Sequence, residues 1–223
     1  MAWKPLPEVV EFEIENPKPK EVVLNPKKTA VVVVDMQKTQ LSRERAHNVI
    51  EGNERLLEKA REAGAKVLYV QSLRQPESPD FTLFKMPLHL QPGTWDVEIM
   101  DELAPQPGDP IIQKWSNDVW AWYGIEAALE KEGITSGDWT VIVTGVNAAA
   151  CAEAASLGFS NRFYHTLVPL DCQVAEIDGE TRIFALYSEP EYSNRMGFTL
   201  SSMVNFQETV EESAPELLIA PTI

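Results

Sequence analysis

Cysteine is scarce in this chain: its 223 residues hold two, Cys151 and Cys172, and they form no CxxC pair. That count excludes a disulfide scaffold and points to a reducing compartment with free thiols. Positive charge is also short. Lys and Arg number 19 against 34 Asp and Glu, a net charge of −15 that repels phosphate backbones and anionic lipid headgroups. Neither nucleic acid nor a membrane is an expected partner. No apolar run approaches the roughly 20 residues of a membrane helix. The N-terminus, Met1-Ala2-Trp3-Lys4-Pro5, leads into acidic, Pro-containing sequence where a signal peptide would have its apolar core, so a cytoplasmic protein is expected. Internal repeats and low-complexity tracts are absent.

What remains is ordinary globular composition, 44% hydrophobic and 24% charged, in a chain long enough to bury one large core. Residues 1 to 28 carry five prolines and read as an N-terminal extended arm lying on the domain body or on a neighbouring subunit; residues 29 to 223 read as one domain. Thr29 to Val34 is a mostly β-branched run, the pattern of a parallel strand buried on both faces. Strands are also expected at Ala65 to Val70, Pro110 to Lys114, Trp139 to Thr144 and Phe163 to Val168. Helices are expected at Ala46 to Ala63, Val119 to Glu132 and Ala148 to Leu157, each followed by a glycine stop. A short helix near Val97 to Leu103 and a last one over Met196 to Phe206 complete the reading. Alternating strand and helix means βαβ units and an α/β fold, a doubly wound parallel sheet with helices on both faces.

In such a sheet, ligands bind beyond the carboxyl ends of the strands. Three reactive side chains fall there: Asp35 after the first valine strand, Lys114 ending the strand at Ile111, and Cys151 early in a helix. A cation and a helix N-terminus favour a thiolate, and a neighbouring carboxylate can take the thiol proton. The turn from Gly145 through Val146, Asn147, Ala148, Ala149 and Ala150 supplies small residues, and free N–H groups at the helix start could hold an oxyanion. The chemistry this predicts is acyl transfer through a thioester. A dyad of cysteine with His165 is the weaker nucleophile reading, and Cys172 reads as inert packing.

These residues resemble the isochorismatase-like cysteine hydrolases, which include nicotinamidases, N-carbamoylsarcosine amidase and ureidoacrylate or biuret hydrolases. The matching pieces are Val33-Val34-Asp35-Met36-Gln37, Gly93-Thr94-Trp95, Glu98-Ile99 to Leu103-Ala104-Pro105, Pro107-Gly108-Asp109 leading to Lys114, and Gly145-Val146 before Cys151, in family order over residues 29 to 172. The resemblance implies an Asp35, Lys114, Cys151 triad. It further implies a cis peptide at Val146-Asn147, the amides of Asn147 and Cys151 as oxyanion donors, and about six strands. It implies a homo-oligomer, dimer or tetramer, and no organic cofactor. Nicotinamidases hold a metal through Asp-x-His and a second His after the second strand; residues 71 to 88 contain no histidine, so no metal is expected. Substrate contacts are expected from Gln37, Trp115 and Asn117, with Arg74 another polar group near the pocket loops and Trp122 packing. The activity implied is C–N cleavage of a small amide, ureido or carbamoyl compound. Two alternatives stay open: vinyl-ether hydrolysis of an isochorismate-like compound, and a non-catalytic binding or oligomer-forming member of the same fold.

Overall fold

In the computed structural model, which describes residues 18–39, 44–121, 124–174 and 196–208, the valine run is buried from end to end. Val22–Leu24 (β1) leads through a 3-10 turn, Pro26–Lys28, into Thr29–Val34 (β2). β-Branched side chains suit a pleated surface covered on both sides, and alternation sends Val31 and Val33 to one face, Val32 and Val34 to the other. Glu44–Ala63 (α1) ends at Gly64, whose φ of +81° turns the chain into Lys66–Ser72 (β3). Pro79–Thr82 (α2) is a short helix capped by the Ser78 side chain. Ile111–Lys114 (β4), Gly124–Lys131 (α3), Thr140–Val146 (β5), Cys151–Asn161 (α4), His165–Pro169 (β6), Gln173–Val174 (β7), Met196–Thr199 (β8) and Val204–Phe206 (β9) complete the order.

The main sheet runs β4-β3-β2-β5-β6-β8, every pair parallel, with β7 pairing β5 farther along. Helix α1 packs with Val31, Val33, Tyr69 and Ile142 on one face, while α3 and α4 pack with Val32, Leu68 and Val143 on the other. This is the doubly wound parallel sheet expected from the sequence, its six-strand path matching the number implied by the family resemblance, with β7 as a short addition. From β2 the order proceeds outward to β3 and β4 on one side and to β5, β6 and β8 on the other, so the loops leaving β2 and β5 diverge and open a crevice at their carboxyl ends. β1, ahead of the main sheet in sequence, forms a separate parallel pair with β9.

Several local expectations change. Met196 to Phe206 is not a helix: β8 extends the sheet beside β6, and β9 takes β1, with the 3-10 turn Ser201–Met203 between them. Strand edges seeking partners override a weak helical period, and Gly197 fits there because a Cβ would stand 2.5 Å from Leu167. The Val119 to Glu132 helix is divided into a 3-10 turn, Val119–Ala121, and α3, with Trp122 and Tyr123 outside the described residues. Gly158 does not stop its helix: α4 runs past it, and the Trp120 ring occupies the space its side chain would need, 1.9 Å from an added Cβ. Between Val97 and Leu103 two 3-10 turns flank an antiparallel bridge of Ile99 with Gln37, whose extended backbone interrupts any helix.

Candidate active site

Strand register assembles the site. Val34 pairs with Val70 on one side and Gly145 on the other, while Ser72 pairs with Lys114. The backbones of β2 and β5 meet so closely at Gly145 that a Cβ would lie 1.9 Å from the Val34 carbonyl oxygen, and its φ of +105° suits glycine alone. The residues just past these strands therefore converge.

Asp35 is the first residue beyond β2. Its φ of +51° is left-handed, a conformation Asp tolerates better than most side chains, and its N–H donates to the Val70 carbonyl at 2.9 Å. Its side chain is 6% exposed. Its Oδ2 lies 2.8 Å from Lys114 Nζ and accepts from Ser72 Oγ at 3.1 Å. Its Oδ1 is buried and has no hydrogen-bond partner among the described residues.

Lys114 follows the inward alternation of β4: Ile112 and Lys114 are buried while Ile111 and Gln113 are exposed. Its side chain is 0% exposed, which a lysine tolerates only when paired. Nζ donates to Ser72 Oγ at 2.8 Å, the Ser116 carbonyl at 3.0 Å and Cys151 Sγ at 3.1 Å. Burial works against the ammonium form, but the Asp35 carboxylate and, once ionised at high pH, Cys151 outweigh it and hold the pKa above the ordinary lysine value.

Cys151 opens α4, half-buried, with Asn117 Oδ1 3.5 Å from its sulfur. Burial first and the Asp35 carboxylate second push the thiol up to about 12, against the pull of Lys114. The resting cysteine is thus a thiol at neutral pH. The peptide Val146-Asn147 is cis, and the Asn147 carbonyl accepts from the N–H groups of Ala150 and Ala152 at 3.0 and 3.2 Å, tying the turn to the helix start.

Of the other expected residues, Trp115 is 38% exposed and Asn117 is exposed, both on the segment after β4 that carries Ser116 over the lysine. Gln37 is placed differently from a substrate contact. It is 1% exposed and its amide is committed to backbone: Nε2 donates to the carbonyls of Ser72 and Val97, and Oε1 accepts from the Ser72 N–H. Arg74 is buried and paired with Asp80. His165 pairs with Thr140 at the opposite end of β5 from the cysteine, so the dyad reading fails. Cys172 is fully buried, its thiol pushed well above the ordinary value by burial and then by Asp171. Sequence reasoning missed Ser72. The signal was its place at the end of a strand beside those ending at Asp35 and Lys114, hidden because the strand was expected to end at Val70.

Among the described residues, no group of three or more His, Cys, Asp or Glu is arranged to hold a metal ion, and no helix is long and apolar enough to cross a membrane. The isochorismatase domain matches residues 29–188. The chain is 29% identical over 167 residues to ureidoacrylate amidohydrolase RutB of Agrobacterium fabrum, covering 61% of this chain and 72% of that protein. The RutB of Caulobacter segnis is 29% identical over 182 residues, covering 68% and 74%. The fold is similar to N-carbamoylsarcosine amidase from Thermoplasma acidophilum, with TM-score 0.65 and 24% identity over 82% of this chain and 99% of that one. It is also similar to a cysteine hydrolase from Pseudomonas syringae pv. phaseolicola, with TM-score 0.67 and 22% identity over 83% and 94%.

Proposed function

This chain belongs to the isochorismatase family, and from that premise we propose that it is a cysteine hydrolase cleaving a C–N bond of a small amide, ureido or carbamoyl compound through a thioester. One observation carries the reading: Lys114 Nζ stands 2.8 Å from Asp35 Oδ2 and 3.1 Å from Cys151 Sγ, which joins base, cation and nucleophile. The amidohydrolase names of the relatives support the bond class.

Because the resting thiol keeps its proton, deprotonation accompanies attack. Asp35 takes the proton as Sγ adds to the substrate carbonyl carbon, and Lys114 stabilises the negative charge shared between them. The carbonyl oxygen takes the displaced electron pair and is held by the N–H groups of Asn147, in the turn after β5, and of Cys151, at the helix start. Collapse re-forms the carbonyl and breaks the C–N bond, the proton on Asp35 leaving with the nitrogen as ammonia or an amine. Water then gives a proton to Asp35 and adds to the thioester; the C–S bond breaks and the sulfur recovers that proton. Trp115 and Asn117 flank the incoming substrate, and Gln37 braces the site from beneath. The reading includes no cofactor, a homo-oligomer and a cytoplasmic setting, the last supported by two free thiols.

The test is ammonia release from a panel of small amides, ureas and carbamoyl compounds by wild type and Cys151→Ala. Expected is turnover of at least one compound by wild type, a drop of about 10³-fold or more in the variant, and a covalent acyl adduct on Cys151 by mass spectrometry. Turnover of none overturns the proposal in favour of the non-catalytic reading, and ammonia release surviving in Cys151→Ala would overturn the thioester step.

A further inference from the structure

We infer that Ser72 is a fourth, positioning member of the site, aiming the Asp35 carboxylate so that Oδ1 is the oxygen that receives the thiol proton. The inference rests on the hydrolase reading above. The Ser72 hydroxyl donates to Asp35 Oδ2 and accepts from Lys114 Nζ, while Lys114 itself holds the same Oδ2. Two ties on one oxygen fix the carboxylate plane. The other oxygen is left buried with no partner among the described residues, a costly state unless it has work at the site.

Ser72 is in turn held by two backbone hydrogen bonds from one side chain. Gln37 Oε1 accepts from its N–H and Gln37 Nε2 donates to its carbonyl, both at 2.9 Å. Because Gln37 grips main-chain atoms, removing the hydroxyl leaves the clamp and the strand register in place. Lys114 still has Asp35, Ser116 and Cys151 for its three protons. The local fold therefore tolerates alanine, and what is lost is the rotational restraint on Asp35.

The test compares wild type, Ser72→Ala and Ser72→Thr. Misaiming a catalytic group by about 1 Å can cost on the order of 10²-fold. Ser72→Ala is expected to lower kcat by roughly tenfold or more with KM nearly unchanged, and Ser72→Thr, which keeps the hydroxyl, to recover most of it. A second readout needs no substrate: the rate of iodoacetamide attack on Cys151 at neutral pH, located by peptide mass spectrometry, should fall in Ser72→Ala and recover in Ser72→Thr. If wild type hydrolyses no amide, the amidase reading fails while the alkylation rates still judge the positioning role. Rates equal to wild type in Ser72→Ala overturn that role. So does faster alkylation, since the hydroxyl would then be restraining the base instead of aiming it.

Discussion

Ser72 and Lys114 are register partners on adjacent parallel strands, and their side chains meet 2.8 Å apart over the Asp35 carboxylate. A fully buried ammonium and a buried carboxylate thus share a hydroxyl between them, and removing one member exposes how far the others depend on it.

Lys114→Met leaves Asp35 charged, buried and unmatched, and breaking a buried pair on one side costs about 3–5 kcal/mol. Asp35→Asn combined with Lys114→Met removes both charges and should cost clearly less than the two single changes added together. Urea denaturation of all four proteins measures the coupling. Additive losses would mean the pair is not coupled in the folded protein.

Alkaline pH should unfold the wild type partly through Cys151. Its thiol is raised from an unfolded value of 9.0 to about 12, so between those values the folded state binds more protons than the unfolded one. Stability from this group is complete below pH 9.0, falls as pH rises, and is lost once pH passes about 12. At about 1.4 kcal/mol per unit the upper bound is roughly 4 kcal/mol, and solvent at the half-buried sulfur lowers it. Denaturation curves over this range should slope less steeply with pH in Cys151→Ala than in wild type.

Gln37→Leu keeps the volume but removes the side-chain partner of the Ser72 N–H and carbonyl, while the Val97 carbonyl keeps the Gln71 amide at 2.9 Å. Each buried orphan costs about 1–3 kcal/mol, so the variant should melt well below wild type while any residual activity shows little change in KM. A large KM increase at unchanged melting temperature would restore Gln37 to the substrate-contact role that its sequence position suggested.

Gly158→Ala would gain about 1 kcal/mol of helix propensity in an open site. Here the added Cβ meets the Trp120 ring at 1.9 Å, so overpacking of about 1–3 kcal/mol wins. Trp120→Leu in the same background should relieve part of the loss. Thermal unfolding of the single and double variants decides it, and a stabilised Gly158→Ala would contradict the packing of Trp120 on α4.

The sequence by itself determined the layered architecture, because Thr29 to Val34 and Trp139 to Thr144 are too apolar to lie anywhere but inside a sheet covered on both faces. It also determined where Asp35, Lys114 and Cys151 fall, since strand ends and helix starts are local features marked by period and glycine. Tertiary structure decided the rest. Whether Met196 to Phe206 coils or pairs depended on open strand edges that no local period records. That Gln37 faces backbone and Ser72 faces charge depended on which residues β2, β3 and β4 bring side by side. Register is a relation between distant segments, fixed by burial of both faces at once, and it is what turned three separate positions into one site.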